Sequence, residues 1–243
     1  MPRAPLYRLL LVVTAGMAWP QNLLAETGYF RCRGTDKQTR KLVFTCSGTE
    51  IRRKGSPVSA EIVYRTAKGK IFAKEKINFR KDTLAPDVLF QDLRDGRREM
   101  VEREGNFFSV IVQDSAKAAP EFARLQHPGE DEKVLTMPGL PAYLATTMEQ
   151  MPVESRLTFR VLFPQERKIL KLRATLEGIS KYQRREALRV RVQPQNFVYR
   201  WFSQPVFLTI QKKTGRLLRY EGLHYVRNPE SGHGTIVDLV FSW

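Results

Sequence analysis

The sequence is short of nearly everything that advertises a reaction. Its 243 residues hold three histidines (His127, His224 and His233) and two cysteines, Cys32 and Cys46. No two histidines stand at metal-ligand spacing and no cysteine joins them, which excludes a zinc-type set. The chain has no G-x-S-x-G elbow, no H-E-x-x-H, no phosphate-binding loop and no dinucleotide fingerprint. Ser231, His233 and Asp238 can be written as a triad, but a triad is a matter of geometry, and these three read as a turn beside an ordinary strand. The acidic run at 130–132 reads as a solvated loop. The expectation is a protein that is not an enzyme and uses no cofactor and no metal.

Two further shortages matter. Beyond the first 25 residues, no apolar run approaches the ~18 residues of a membrane-spanning helix. Acid is also scarce: 25 Asp and Glu stand against 41 Lys and Arg, a net charge of +16. Such a balance favours anionic partners.

What is present begins with the N-terminus. Residues 1–8 carry Arg3 and Arg8 and no acid, residues 9–17 are apolar, and Leu23-Leu24-Ala25 ends on a small residue before Glu26. That is the layout of a secretory signal, cut near Ala25. The reading is a signal peptide over 1–25, a single β-rich domain over 26–243, and a periplasmic destination. Export leaves anionic lipid, acidic glycan or an envelope protein as partner and makes nucleic acid unavailable. An oxidising compartment also favours a Cys32–Cys46 disulfide. Segments 28–33 and 41–46 read as hairpin arms around a polar turn, and the two cysteines are too far apart for a C-x-x-C redox pair.

Most of the chain alternates with period two. Leu157, Phe159, Val161 and Phe163 point one way, and Thr158 and Arg160 the other. Leu170, Leu172, Ala174 and Leu176 are opposed by Lys171, Arg173 and Thr175, and Leu188, Val190 and Val192 by Arg189 and Arg191. These are half-buried strands. Turns at Lys68-Gly69, Asp95-Gly96, Glu104-Gly105-Asn106 and Thr214-Gly215 separate them. Strands are predicted near 29–33, 41–47, 58–65, 70–80, 87–93, 97–103, 106–113, 155–163, 167–177, 186–193, 204–212, 216–224 and 235–242. Residues 115–137 show no period and read as a long loop. Residues 140–151 carry Leu140, Tyr143, Leu144, Thr147, Met148 and Met151 at helical spacing, with Pro141 in the first turn and Pro152 closing the run. The fold class is therefore mainly β: a strongly curved antiparallel meander or half-open barrel, with one amphipathic helix packed on its concave face.

If consecutive strands pair, Arg160, Lys171, Arg173, Arg189 and Arg191 share the polar side of neighbouring strands, with Trp201 close by among other aromatics. These six are the candidate ligand-binding residues for an anionic surface, since cations beside aromatics suit head groups and glycans. The bland alternative is a solvent-facing sheet surface kept soluble by Arg and Lys. The end of the chain, Val237, Leu239, Phe241 and Trp243, resembles the closing strand of an outer-membrane barrel, but several predicted strands are shorter than the ~9 residues such a barrel needs.

The C-terminal half carries a resemblance. Met137-Pro138-Gly139-Leu140-Pro141-Ala142-Tyr143 leads into a helix. Arg156-Leu157-Thr158-Phe159-Arg160-Val161-Leu162-Phe163-Pro164 and Leu188-Arg189-Val190-Arg191-Val192-Gln193-Pro194 follow. Next come Pro205-Val206-Phe207-Leu208-Thr209-Ile210 and Gly215-Arg216-Leu217-Leu218-Arg219-Tyr220-Glu221-Gly222-Leu223. Over roughly 75–243, this order resembles an uncharacterised family of exported proteins of Gram-negative bacteria. The resemblance implies an open antiparallel sheet similar to the periplasmic lipoprotein carriers, and it implies no catalytic or ligand residues. Two functions remain in view: a non-catalytic carrier for an amphiphilic or anionic envelope ligand, and an envelope protein that docks through its basic face. A cavity of ~300 Å³ or more under the helix favours the first, and a filled core the second.

Overall fold

The computed structural model describes residues 25–129, 132–196 and 204–243. The predicted signal run 9–17 and Trp201 lie outside the described residues. In chain order the elements are β1 (Glu26–Asp36), β2 (Leu42–Arg53), β3 (Ser56–Thr66), β4 (Ile71–Asn78), β5 (Asp87–Asp92), β6 (Arg98–Glu104), β7 (Phe107–Gln113), β8 (Glu121–Gln126), β9 (Val134–Leu135), α1 (Leu140–Met148), β10 (Arg156–Phe163), β11 (Lys168–Tyr182), β12 (Arg185–Pro194), β13 (Val206–Gln211), β14 (Leu217–Leu223) and β15 (Ile236–Ser242).

All the described strands join one sheet, which runs from β8 back to β1, passes to β15, and runs back again to β9. Two meanders are thus joined where the first strand pairs with the last, Arg31 opposite Ser242 through Asp36 opposite Val237. Every pairing is antiparallel except the short β9–β10 pair. The alternation read from the sequence is the alternation of burial: in β7, Phe108, Val110 and Val112 turn inward while Phe107, Ser109 and Ile111 do not. Register shifts at Gly34/Thr35, Ile51/Arg52, Tyr64/Arg65 and Leu176/Gly178 insert extra residues. Such bulges bend a strand and raise its twist, which curls the sheet around its apolar face.

The curl brings the two ends of the sheet together without joining their backbones. Val101, Phe108, Val110 and Val112 from β6 and β7 form one apolar cluster with Val134 of β9 and Leu162 of β10. The Gln165 amide donates to Glu99 Oε1 at 2.8 Å, and Arg167 pairs with Glu121 at 2.7 Å. The sheet therefore stays an open antiparallel structure, as its pattern predicts, with a seam of side chains where a barrel would have a ladder.

Three expectations need correction. Residues 115–137 are not one loop, because they contain β8 and β9. β8 is an edge strand whose Phe122 is 70% exposed, so no clean alternation marks it, and β9 is too short to show a period. The helix ends at Met148 rather than Met151, and its buried side is Leu140, Leu144, Ala145 and Met148, with Thr147 exposed. β2 also continues past residue 47 to Arg53, turning through Lys54-Gly55 with both φ angles positive, the geometry of a two-residue hairpin turn.

α1 lies inside the curl, where its buried residues share the main core with Phe44, Phe90, Leu172, Leu188 and Ile210. Its start is pinned by Gly139. A Cβ there would lie 2.0 Å from the Leu84 carbonyl oxygen, and backbone cannot yield as a flexible side chain would. Cys32 and Cys46 stand directly opposite each other in β1 and β2 and form a disulfide, their Cα atoms 4.8 Å apart.

Two stability tests follow from this packing. Gly139→Ala should destabilise the fold by about 1–3 kcal/mol, the range for overpacking, through displacement of α1 from the Leu84 loop. Replacing Cys32 and Cys46 by Ala should cost about 3 kcal/mol in the loop-closure account. Urea unfolding reads both; a midpoint equal to the parent's in either variant contradicts the corresponding contact.

Candidate functional site

The register places all five described basic candidates on one face, opposite the face that packs on α1, although at the seam this face also carries the buried Val134 and Leu162, and Lys171 borders the inner cavity. Arg160 is opposite Lys171, Thr158 opposite Arg173, Thr175 opposite Arg191, and, past the bulge, Gly178 opposite Arg189. That face is not a field of free cations. Arg160 is bound by Glu132. Arg191 reaches Glu177 at 3.2 Å, and Arg189 reaches Glu177 at 3.5 Å and Glu221 at 3.0 Å. The ladder continues through Arg219 to Glu221 at 3.5 Å and to Asp238 at 2.7 Å. Hydrogen bonds from Arg219 hold the Asp238 carboxyl below its usual range. Among the described residues, only Lys171 and Arg173 of the five make no ion pair. Tyr220 of β14 turns inward and is buried.

The inside of the curl holds a cavity of about 1100 Å³. Val88, Phe90, Val101, Leu162, Leu172 and Val206 supply much of its apolar wall, and Leu140 of α1 closes one side. Charged residues interrupt this wall. One row across the sheet runs Ile62, Glu75, Phe90, Glu99 and Val112, so two carboxyls two strands apart face inward on either side of a phenylalanine. A smaller space of about 180 Å³ lies on the other side of Glu75, Met137, Pro138 and Tyr225.

Glu75 is buried and shares one carboxylate oxygen with two phenols. Tyr64 and Tyr225 donate to Oε2 at 2.8 and 2.6 Å, and the two hydroxyls stand 2.9 Å apart. Burial pushes the Glu75 carboxyl above its ordinary pKa and both phenols well above theirs, because the charged forms lose their hydration. Burial also raises Glu99, whose Oε1 accepts from Gln165 and lies 3.4 Å from Arg97 Nη1. Arg97, only 1% exposed, stacks 5.0 Å over the Phe90 ring and donates from Nη2 to the Tyr225 carbonyl at 3.1 Å. Beside them His224 lies flat on Tyr225, ring centroids 4.5 Å apart, and its Nδ1 accepts the Val226 amide at 3.2 Å. The ring is therefore neutral with its proton on Nε2, and burial lowers its pKa to about 3.

This arrangement can hold protons and present hydrogen bonds from buried groups of the cavity wall. The trio Ser231, His233 and Asp238 is not assembled: the first two lie in an exposed turn, and the Asp238 carboxylate is taken by Arg219. No group of three metal-ligating side chains occurs among the described residues. Sequence reasoning missed Tyr64, Glu75, Arg97, Glu99, Tyr225 and Arg227. A signal existed in the parity of two strands: Glu75 sits between Ala73 and Ile77 on the inward side of β4, and Glu99 precedes Val101 on that of β6. Charge at a core-facing position breaks the binary pattern and marks a place held for something other than packing.

The buried imidazole makes stability depend on pH. The folded chain stays unprotonated at His224 down to about pH 3, whereas an unfolded histidine takes a proton near 6.5. Stability from this group is thus lost as pH falls below 6.5, by up to about 1.4 kcal/mol per pH unit. Glu75 and Glu99 act in the opposite sense, because their folded pKa values lie above the unfolded ones and their burial penalty shrinks on acidification. His224→Asn keeps an acceptor for Val226 and removes the histidine contribution. Urea midpoints should show the variant gaining on the parent from pH 6.5 towards 4; a constant difference across that range would mean that His224 titrates normally.

No family model matches the chain, and no curated protein matches it. Among solved structures, the chain is similar to a β-barrel-like protein of domain of unknown function DUF1849 from Brucella abortus. The two share 8% identity at a TM-score of 0.51, over 89% of this chain and 96% of that one. At that identity the likeness is one of fold: a β-barrel-like sheet shared with a bacterial protein of unknown function.

Proposed function

We propose that the chain is exported to the periplasm and is a non-catalytic carrier whose inner cavity takes up an amphiphile of the cell envelope. The cavity carries the reading. Its volume of about 1100 Å³ exceeds what a filled core leaves and reaches the upper end of the ~300–1000 Å³ typical of small-molecule sites. The wall is mostly apolar with a few convergent polar groups, the composition that binds a chain and orients a head. The disulfide suits an oxidising compartment. The polarity of the sheet argues against the outer-membrane barrel, which turns its apolar side outward. Here Phe108, Val110 and Leu172 face in, and the Arg189–Glu221 and Arg219–Asp238 pairs face out.

Docking on an anionic surface is the second reading, and one observation favours it. Among the described residues Lys171 and Arg173 make no ion pair, Lys171 at the edge of the cavity and Arg173 on the outer face, and both can meet anionic lipid, glycan or an acidic envelope protein. Their contribution is about 1 kcal/mol each near a charged membrane.

Native mass spectrometry of protein purified from its own envelope tests the carrier. The chain should begin near Glu26 and arrive with an additional bound mass. Leu170→Trp fills part of the cavity wall and should cut uptake of a fluorescent fatty probe by at least about tenfold, a loss of about 1.4 kcal/mol. A parent that arrives bare and takes up no probe removes the carrier function, and retention of the signal segment removes export.

A further inference from the structure

We propose that Arg97 and Arg227 form the head-group seat of the cavity, and that the amphiphile it takes carries a single anionic head, a carboxylate or a phosphate monoester. The inference rests on the carrier reading and specifies its ligand.

The guanidinium of Arg97 is the least satisfied buried group of the wall. Its Nε and Nη1 take no hydrogen bond among the described residues. Nη2 alone is bonded, to the Tyr225 carbonyl. Buried donors left without acceptors are costly, so native structures rarely keep them unless something else supplies the acceptors. Glu99 is the carboxylate at hand, and it is a poor counter-ion. It stands at 3.4 Å from Nη1, outside a good hydrogen bond, and it already accepts the Gln165 amide. Its burial also favours the neutral acid over the carboxylate.

A second cation shares the corner. Arg227 lines the same cavity, two residues beyond Tyr225, and its charge disfavours that of Arg97. Its ion-pair partner, Asp114, is 3.9 Å away and well exposed. Two guanidiniums thus repel each other here, and the carboxyls that answer them are a poorly placed Glu99, an exposed Asp114 at 3.9 Å and, more weakly, Asp92 and Asp95. Guanidinium presents a planar fork of donors that matches carboxylate and phosphate oxygens, and in a dry site such charge-assisted bonds are the strong ones. From this corner the apolar wall of Phe90, Val101, Leu162 and Leu172 leads away, with room for a chain.

Equilibrium binding of palmitate, hexadecanol and inorganic phosphate to the purified protein tests the seat, read by displacement of the fatty probe and by calorimetry. Palmitate should bind at least about tenfold more tightly than hexadecanol, which shares its chain and lacks its charge. Arg227→Gln changes a partly exposed residue and should remove that preference while leaving hexadecanol binding as it is. Arg97→Gln should do the same; because Arg97 also packs on Phe90, the Arg227 variant carries the test if the Arg97 variant fails to fold. Glu99→Gln, which removes the competing carboxyl, should raise palmitate affinity. Equal affinity for palmitate and hexadecanol overturns the anionic seat while the carrier reading stands. Phosphate binding as tight as that of palmitate overturns the amphiphile head in favour of a free-anion site. Failure of both chains to bind removes the carrier reading itself.

Discussion

The structure depends on the pairing of its first strand with its last. β1 and β15 are more than 200 residues apart in sequence, as the bond from Thr35 Oγ to the Asp238 carbonyl illustrates. Their pairing turns two separate meanders into one sheet. Long-range pairing is costly, because the loop must close before any contact rewards it. The reward here is concentrated in aromatics. Phe30 packs on Trp243 with centroids 4.7 Å apart and on Phe241 at 6.1 Å, and Trp243 donates its indole N–H to the Leu217 carbonyl at 2.8 Å. The cavity exists because of this junction. Phe90, Glu99 and Val101 come from the first meander and Leu162, Leu172 and Val192 from the second, so neither half encloses it alone.

The curled sheet sorts charge by side, and the two sides follow different energetics. Outside, Arg191, Glu177, Arg189, Glu221, Arg219 and Asp238 alternate in sign along a ladder whose arginines stay partly in solvent while Glu221 and Asp238 are buried beneath them. The ladder lowers the net charge of the face, and each buried carboxylate in it keeps an arginine partner. Inside, Glu75, Glu99 and Arg97 sit where taking a charge from water costs several kcal/mol. A core does not accumulate such groups for stability. Their presence is the physical reason to look for function on the concave side, although the sequence directs attention to the convex one.

What could be read from the sequence was whatever repeats at short range. The strands of β10, β11 and β12 announce themselves by alternation, and α1 by the spacing of Leu140, Leu144 and Met148, with one proline in the first turn and another closing the run. The disulfide follows from two cysteines near facing positions of one hairpin. β8 was hidden because Phe122 points outward, against the pattern, and β9 because two residues have no period. The β1–β15 junction has no local signature at all. The basic face was legible as a set of positions but not as an electrostatic object, since its neutralisation depends on Glu177 at a bulge and Glu221 two strands away. The cavity was legible only as a breach of parity at Glu75 and Glu99, and Arg97 only as the first residue of a strand, since its burial comes from contacts with Tyr225 in the other half of the chain.

The triangle of oxygens at Glu75 can be counted in protons. Three edges, Tyr64 to Glu75, Glu75 to Tyr225 and Tyr225 to Tyr64, are all of hydrogen-bond length. Each edge needs one hydrogen, and two phenols supply two. With both phenols donating to Oε2 the edge between the two hydroxyls has no hydrogen; it gains one only when Glu75 carries a proton and one phenol turns its hydrogen to the other. A complete ring can circulate in either sense, each oxygen giving to one neighbour and taking from the other. The group that looks in sequence like a lone buried negative charge is then a closed circuit of three donors and three acceptors, set at the boundary between the two cavities.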